Sequence, residues 1–410
     1  MHEATRNCAR TKLSEFQEKV QIYNLRRNYV GTTHDNVSGL SPFITRRLIL
    51  EQEIIEQILN KHPFTKVEKF VQEVMWRSYW KGWLEMRPKV WDDYLREVEL
   101  AKKQLNDRQI TRAEEILGGC SGVSFMDHFT NELKETGYLH NHARMWWASH
   151  WIHVEKLPWQ LGAAFFFSHL LDADAASNTL SWRWVAGLQT KGKAYLINRG
   201  NLLKYCSPEI LINPAELDHL NEVSPIAISE SRSYDPEHSN LIKYKLPSVE
   251  SDKRIGVWVH NDDLCPEFGP LNNYKPVSVA GFKDAAMSAK YGQSNLVQRF
   301  TKDSMRDALD RCGGHFKCNT EYYESGTLKE NITKWITKNS IDHVVAFKPF
   351  IGPVGEQLRI VEGEFLAHNV SLSMTRRDWD QNLFCHAKSG FFPFWKKTKK
   401  YLSSYYKTEK

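Results

Sequence analysis

The sequence of 410 residues carries 55 basic and 49 acidic residues, so its formal net charge is +6. An excess of this size favours polyanionic partners such as nucleic acid, and it excludes the extreme basicity of a histone-like chain. With 41% hydrophobic residues the chain can bury a large core. Its length predicts two or three domains of ~100–200 residues each.

The first ten residues, MHEATRNCAR, are polar and do not resemble a signal peptide, and no run of ~18 apolar residues occurs in the chain. We therefore expect a cytoplasmic monomer without a membrane segment. The seven cysteines form no CxxC pair. This favours free buried thiols over a disulfide framework or a zinc site.

Residues 1–222 have the periodicity of an all-α domain. Apolar residues recur at a spacing of three to four from Leu48 to Leu59 and again from Phe125 to Leu133, which is typical of helices that bury one face. Residues 223–253 are rich in Ser, Pro and charge and lack this period. We predict a linker between two domains there.

Residues 254–410 predict an α/β domain. The strand candidates are short apolar runs at Ile255–Val259, Val277–Ala280, Asp342–Phe347 and Val370–Leu372, with His315–Cys318 as a weaker fifth. Helical stretches such as Asn295–Ala308 and Leu328–Thr337 separate them. Strands that alternate with helices predict βαβ crossovers and a parallel, Rossmann-like sheet.

Two segments of the helical half differ from ordinary core. In QEVMWRSYW, the residues Glu73, Trp76 and Arg77 are spaced to share one helix face, which places a carboxylate beside an indole and a guanidinium. The segment 137–193 mixes apolar helix with charged residues such as Arg144 and Asp172. Buried charges of this kind need partners.

At these residues the sequence resembles the photolyase/cryptochrome family in the order, spacing and type of five motifs. They are YxxxR at Tyr23 and Arg27, VSGLSP at Val37–Pro42, EVMWR at Glu73–Arg77, GYLHNxxRM at Gly137–Met145, and LLDADxxSN…WRW ending at Trp184. The resemblance implies that residues 1–222 form an all-α FAD-binding domain.

Members of this family ordinarily begin with an α/β antenna domain that opens on a strand similar to VWFRxDL. Here IGVWVHNDDL, at Ile255–Leu264, follows the FAD-binding segment. The resemblance therefore implies a reversed domain order, a circular permutation, with an antenna-like domain over residues 254–410. An unrelated α/β domain is the alternative.

The resemblance also implies which residues contact FAD. They are Tyr23, Ser38, Leu40, Ser41, Arg77, Asn141, Arg144, Asp172, Asp174 and Asn178. Hydroxyls and a guanidinium suit the FAD pyrophosphate, and Arg144 with Asp172 suits a reduced, anionic flavin. The alternatives are a helix N-cap for Ser38 and Ser41 and a structural salt bridge for Arg144 and Asp172.

A second set is implied to contact damaged DNA. Photolyases flip their target out of the base stack, and a flipped pyrimidine dimer needs flat apolar walls. The matching residues are Glu73, Trp76, Asn141, Met145 and Trp184, with Arg27, Lys191 and Lys193 as candidates for the backbone phosphates.

Electron supply is where the sequence departs from the family. Trp182 and Trp159 match the inner and middle members of the family's tryptophan chain, but no tryptophan lies between Leu105 and Ile116, where the outer member would fall. Trp146, Trp147, Trp151 or a tyrosine could take its place. For each of them core packing is the alternative.

These observations predict light-dependent repair of cyclobutane pyrimidine dimers by electron transfer from excited, reduced FAD, with Glu73, Asn178, Trp182 and Trp159 in catalytic roles. The expected partner is DNA that contains pyrimidine dimers, and the expected cofactors are FAD and an antenna chromophore. The alternatives are a cryptochrome-like blue-light photoreceptor and a non-photochemical flavoprotein or nucleic-acid binding module. The sequence leaves open the antenna pigment and the preference for single- or double-stranded DNA.

Overall fold

The computed structural model of the protein describes residues 3–190, 192–228, 232–237, 241, 249 and 252–405. The first part is helical. Its α-helices are α1 (Arg6–Gln17), α2 (Tyr23–Arg26), α3 (Ser41–Thr45), α4 (Glu51–Lys61), α5 (Phe64–Glu85), α6 (Lys89–Gln104), α7 (Asp107–Gly118), α8 (Ser124–Thr136), α9 (Asn141–Ser149), α10 (Trp159–His169), α11 (Ala175–Val185) and α12 (Arg199–Tyr205).

Local sequence explains where several of these helices begin and end. The side chain of Thr5 accepts a hydrogen bond from the backbone N–H of Cys8 and so caps α1, and Asn106 forms a capping box with Gln109 at α7. Helix α8 ends at Gly137, whose φ of 69° lies in the left-handed region that glycine adopts without a steric penalty.

The second part is a parallel sheet with helices on its faces. The strands are β1 (Ile255–Val259), β2 (Ser278–Phe282), β3 (Asn319–Tyr323), β4 (His343–Phe347) and β5 (Ser371–Thr375), in the order β3-β2-β1-β4-β5. The α-helices are α13 (Ala285–Lys290), α14 (Asn295–Phe316), α15 (Leu328–Asn339), α16 (Pro353–Ala367), α17 (Asp378–Phe384) and α18 (Phe391–Tyr405).

The structure confirms an all-α part followed by an α/β part with a parallel sheet, and it confirms four of the predicted strands to within a few residues. The fifth prediction, His315–Cys318, was wrong, because α14 extends to Phe316 and the strand starts at Asn319. Strand β3 lies at the sheet edge and is only partly buried, so its sequence NTEYY has no continuous apolar run.

The two parts share one hydrophobic core. Phe43 and Ile54 of the helical half belong to the same buried cluster as Val257 and Val279 of the sheet. Of the segment predicted as a linker, Arg232 and Tyr234 hydrogen-bond Asp93 of α6, so this described portion lies on the helical half. Among the described helices, none is both long and apolar enough to span a bilayer.

A buried network of charges joins the two halves. The guanidinium of Arg47 makes two hydrogen bonds to the Asp380 carboxylate, at 2.6 and 2.8 Å, and lies 3.2 Å from Asp263. Arg377 donates two further hydrogen bonds of 2.7 Å to Asp263. The side chains of Arg47, Asp263 and Asp380 are each only 2% exposed, so these charges depend on each other for compensation.

We expect Arg47→Met to lower the free energy of unfolding by ~3–5 kcal/mol, because it leaves buried carboxylates uncompensated. Urea denaturation followed by circular dichroism measures the change. The matched control is Arg199→Met, which removes an exposed pair with Asp218 and should cost less than ~1 kcal/mol. Equal losses in the two variants would show that the buried network does not stabilise the fold.

The same network predicts a loss of stability in acid. Burial raises the pKa of Asp263, but the charge and hydrogen bonds of Arg377, with the charge of Arg47, outweigh burial and lower it to about 2. The stabilisation is complete above the pKa of an unfolded aspartate, ~3.9, and is lost as the pH falls towards 2. Asp263→Asn should remove this part of the acid dependence in urea titrations from pH 5 to 2, and an unchanged slope would contradict the assignment.

Candidate functional site

A cavity of about 690 Å³ lies between helices α2, α3, α5, α9 and α11 of the helical half. This volume is within the range of ~300–1,000 Å³ that is usual for small-molecule sites. Most of the predicted site residues line it. They are Tyr23, Arg27, Ser38, Leu40, Ser41, Glu73, Trp76, Arg77, Asn141, Arg144, Met145, Asp172, Asn178, Trp182 and Trp184.

A bidentate ion pair lies at the wall of the cavity, between Arg144 on α9 and Asp172 just before α11. The two hydrogen bonds measure 3.0 and 2.9 Å. Burial raises the pKa of Asp172, but the charges of Arg144 and Arg77 outweigh burial and hold this pKa below its ordinary value. The carboxylate therefore stays charged and fixes the Arg144 guanidinium beside the cavity.

Arg77 on α5 lines the cavity and contacts both α3 and the residue that precedes α11. Its guanidinium donates to the hydroxyl of Thr45 and to the backbone oxygen of Ser41, and it lies 3.3 Å from Asp174. Asp174 also accepts from the backbone N–H of Ser177 and caps α11. Asp174 lines a neighbouring, smaller cavity and not the larger one, although it contacts Arg77 of the predicted flavin-contact set.

Asn178 and Trp182 extend from α11, one turn apart, toward the same cavity. The Asn178 side-chain amide donates to the backbone oxygen of Ala163 at 2.9 Å, and this bond fixes the orientation of the group. The indole of Trp182 is 3% exposed. It lies over Gly162, where a Cβ atom would come within 2.4 Å of the indole, so only glycine admits this close approach.

The loop before α3 supplies hydroxyl groups to the rim. The hydroxyl of Ser38 accepts from the backbone N–H of Leu40 at 3.4 Å, and the hydroxyl of Ser41 contributes to the lowered pKa of Asp172. The N-cap position of α3 is Leu40, which has no capping side chain, so the predicted N-cap alternative does not describe Ser38 or Ser41. Tyr23 completes this side of the cavity.

Glu73 forms ion pairs with two cations. Arg27 is hydrogen-bonded to one of its carboxylate oxygens, and Lys69, one helical turn earlier, lies 3.0 Å from the same oxygen. All three side chains line the cavity and are about one-fifth to one-third exposed. Arg27 therefore lines the cavity and is paired with Glu73. The sequence predicted Arg27 as a contact for the DNA backbone phosphates and did not predict this carboxylate partner.

One face of Trp76 is already occupied. Phe391 of α18 stacks on the indole with ring centroids 3.8 Å apart and planes 7° from parallel. Trp76 also contacts Trp80 at 5.2 Å and remains partly buried at the cavity wall. A base that enters the cavity could use only the face of Trp76 that is opposite Phe391.

Another part of the cavity wall consists of Trp184 and the start of α9. Trp184 is nearly parallel to Tyr195, with centroids 5.5 Å apart. The amide nitrogen of Asn141 is 3.9 Å from the sulfur of Met145, one turn further along α9. Aromatic and thioether groups therefore line the same cavity as the carboxylate of Glu73.

Two further predicted residues, Trp159 and Lys193, do not line this cavity. Trp159 is buried behind the cavity at the start of α10, where Tyr94 stacks on it. Lys193 is exposed on the loop after α11 and does not line the cavity. Lys191 lies outside the described residues.

Three residues at the site were not predicted from the sequence: Lys69, Phe391 and His140. Lys69 was recognisable, since it lies four residues before Glu73 on one helix, whereas nothing in the sequence connects Phe391 with Trp76. His140 caps α9 and lines the cavity, and burial, reinforced by cationic neighbours, lowers its pKa to about 3. It is therefore neutral at physiological pH.

Residues 70–210 match the family model described as the FAD binding domain of DNA photolyase. Over this segment the chain is similar to the photolyase/cryptochrome family. The matched segment contains most of the cavity wall, from Glu73 to Trp184, which supports FAD as the ligand of the cavity.

Curated relatives of the family align with part of the chain. A deoxyribodipyrimidine photo-lyase from Streptomyces griseus is 31% identical over 166 residues, 38% of this chain and 34% of that protein. Cryptochrome DASH from Natronomonas pharaonis is 29% identical over 210 residues, 48% of this chain and 42% of that protein. The chain therefore spans less than half the length of these relatives.

Among solved structures, a bacterial class III photolyase from Agrobacterium tumefaciens is 23% identical, with a TM-score of 0.42. The superposition covers 49% of this chain and 42% of that one. The family assignment therefore depends on the sequence match.

The residues of the cavity are chemically suited to FAD. The guanidinium groups of Arg77 and Arg144 and the hydroxyls of Ser38 and Ser41 supply the donors that a dinucleotide pyrophosphate and an anionic ring require. We expect the protein to co-purify with one FAD per chain. Flavin absorbance after denaturation, divided by protein concentration, measures this ratio.

The double variant Arg144→Met/Asp172→Asn should lower the FAD content, because it removes the cation and its carboxylate together and leaves neither buried charge unpaired. Arg108→Met, on the exposed face of α7, is the control and should keep the parental content. A colourless parent that cannot be reconstituted with FAD, or a double variant as yellow as the parent, would contradict the assignment.

Proposed function

We propose that the protein repairs cyclobutane pyrimidine dimers in DNA by light-driven electron transfer, as a DNA photolyase. The proposal rests on one observation. Residues suited to a flavin and residues suited to a flipped dimer line a single cavity. Arg144, Asp172 and Asn178 belong to the first set, and Trp76 and Trp184 belong to the second.

Bound FAD, in its reduced state, would supply an electron to the dimer under light and accept it back after the ring opens. The contribution of the protein is to position and stabilise. Arg144 offers a positive charge that favours an anionic ring, and Trp76 and Trp184 offer apolar faces to the flipped bases. Glu73 and Asn141, which line the same cavity, would exchange hydrogen bonds with the base edges.

The ion pairs of Glu73 suggest how the entrance recognises DNA. Arg27 and Lys69 neutralise Glu73 and bring an excess positive charge to the rim. Phosphates that flank a flipped dimer would be attracted to this excess. Lys193, on the loop after α11, is a further candidate for such a contact, as is Lys191. Such contacts predict binding that weakens as salt concentration rises.

A cryptochrome-like photoreceptor is the second candidate, since the relatives include a protein named cryptochrome DASH. It would use the same flavin but would not require the dimer-facing set. Glu73, Trp76, Asn141, Met145 and Trp184 are all retained around the cavity, which favours repair.

We further propose that residues 254–410 are the counterpart of the family's antenna domain, placed after the FAD domain, with residues 223–253 as the connection. The parallel order β3-β2-β1-β4-β5 supports this, with the VWFRxDL-like strand β1 at its centre. A cavity of about 110 Å³ lies beside the carboxyl end of this sheet. That volume is too small for a flavin-sized pigment, whose sites usually exceed ~300 Å³, so an antenna chromophore would bind there only if the surrounding side chains moved.

Trp76→Ala should weaken binding to dimer-containing DNA by ~1–3 kcal/mol, the usual contribution of one stacked base, and should leave binding to undamaged DNA nearly unchanged. Gel-shift titration at one fixed salt concentration measures both affinities. Trp83→Ala is the matched control, since this tryptophan lies on the same helix but packs against Arg87 outside the cavity. Equal effects of the two substitutions would exclude Trp76 as a dimer contact.

Glu73→Ala should lower the yield of repair per absorbed photon more than it lowers dimer affinity, because it removes the carboxyl group that would hydrogen-bond the dimer in the state that follows electron transfer. The yield is measured on chemically reduced protein under blue light. If reduced, illuminated wild-type protein binds dimer DNA no better than undamaged DNA and repairs none of it, the photoreceptor replaces the repair enzyme as the proposed function.

A further inference from the structure

A row of aromatic rings leads from the cavity to the surface between the two halves. It starts at Trp182, which lies over Gly162 of α10. Trp159 precedes Gly162 by three residues on α10. The two residues therefore lie on the same face of this helix. The spacing therefore places Trp159 one helical turn from the site that Trp182 covers, and an electron would cross this turn to pass between the two indoles.

Beyond Trp159 the row continues through rings that the family resemblance did not identify. Tyr94 stacks on Trp159 with centroids 5.5 Å apart, Trp91 follows at 5.4 Å, and Tyr291 lies 6.0 Å from Trp91. Trp159, Tyr94 and Trp91 are at most 3% exposed, whereas Tyr291 is partly exposed. The row therefore ends at a phenol that a small molecule in solution can approach.

Tyr291 has a proton acceptor in direct contact. Its hydroxyl donates to a carboxylate oxygen of Glu356 on α16, and the indole N–H of Trp91 donates to the same oxygen at 2.9 Å. Lys290 pairs with the other oxygen of this carboxylate. Burial and the adjacent carboxylate raise the pKa of Tyr291, so the phenol is protonated in the resting protein.

A second row of rings leaves Trp182 but ends inside the protein. Trp147 contacts Trp182 at 6.0 Å, and Trp151 stacks on Trp147 at 5.2 Å. Both indoles are fully buried. Within the described residues Trp151 contacts no further aromatic ring, and its N–H donates to the backbone oxygen of Pro158. This row offers no contact with an external reductant.

We propose that Tyr291 is the terminal electron donor for light-driven reduction of the flavin, and that Glu356 accepts its proton. The inference deepens the proposed function, on which it rests. One electron passes from Tyr291 through Trp91, Tyr94, Trp159 and Trp182 to the light-excited flavin, and the phenolic proton moves to Glu356. A thiolate in solution then gives one electron to the tyrosyl radical and becomes a thiyl radical, and the proton on Glu356 returns to the phenolic oxygen. A second such event supplies the second electron of the reduced flavin, and the two thiyl radicals combine to a disulfide.

The geometry explains why the donor can be a tyrosine. A phenol that loses an electron becomes strongly acidic, so its oxidation is easier when a base already accepts its hydrogen bond. Glu356 provides that base for Tyr291. Tyr94, by contrast, lies deep in the core. Burial alone raises its pKa, and no neighbouring carboxylate contributes to that shift.

The first test is electron paramagnetic resonance of the FAD-loaded, oxidised protein frozen after illumination without DNA. Wild type should show a tyrosyl signal, and Tyr291→Phe should lose it while keeping the ring and its packing. Tyr29→Phe, at an exposed tyrosine outside the row, is the matched control and should keep the signal. A tyrosyl signal of parental size in Tyr291→Phe would overturn the proposal.

The second test follows flavin photoreduction with an added thiol in H2O and D2O. Wild type should react more slowly in D2O because a proton moves with the electron, and Glu356→Gln should abolish this isotope effect. Trp159→Phe and Trp182→Phe should slow photoreduction, and Trp151→Phe should not. Slow photoreduction in Trp151→Phe with a parental rate in Tyr291→Phe would assign the electron path to the buried row.

Different results would exclude the proposed electron donor and the proposed repair function. If chemically reduced wild type and Tyr291→Phe repair dimers equally but neither forms a tyrosyl radical in light, Tyr291 is not the donor and the repair function stands. If the protein binds no FAD or reduced protein repairs nothing, the repair function itself is excluded and the proposed donor has no role in it.

Discussion

The buried pair of Arg47 and Asp380 joins the helical half to the α/β half, and the arrangement of the rest of the molecule depends on it. Arg47 precedes α4, whereas Asp380 lies on α17, and both side chains are almost inaccessible to water. Buried charges are tolerated only with partners in good geometry. The pair therefore selects one relative position of the halves, since a small slide would leave a charge buried without compensation.

Helix α5 transmits this constraint to the cavity. On one side, Gly82 lies so close to α17 that a Cβ atom would come within 2.8 Å of the Cα atom of Phe384. On the other side, Glu73, Trp76 and Arg77 line the cavity. Because a helix is rigid over this length, the position of the cavity residues depends on a contact made one to three turns away.

The α/β half therefore contributes to the site directly. Phe391 stacks behind Trp76, and Tyr291 with Glu356 completes the aromatic row that begins at Trp182. Helical residues alone would leave Trp76 without the ring that stacks on it and Trp91 without its hydrogen-bond acceptor. In the proposed function, both substrate binding and electron supply thus require the two halves in contact, whatever their order along the chain.

The sequence by itself determined the features that depend on local spacing: the helical and α/β parts, the strands with continuous apolar runs, and the face of α5 that holds Glu73, Trp76 and Arg77. Only the tertiary structure decided the rest. The edge strand β3 lacks an apolar run because it is half exposed, and the ion pair of Arg27 with Glu73 and the stack of Phe391 on Trp76 join segments 46 and 315 residues apart. Such contacts depend on how the helices pack in three dimensions, and no periodicity along the chain encodes them.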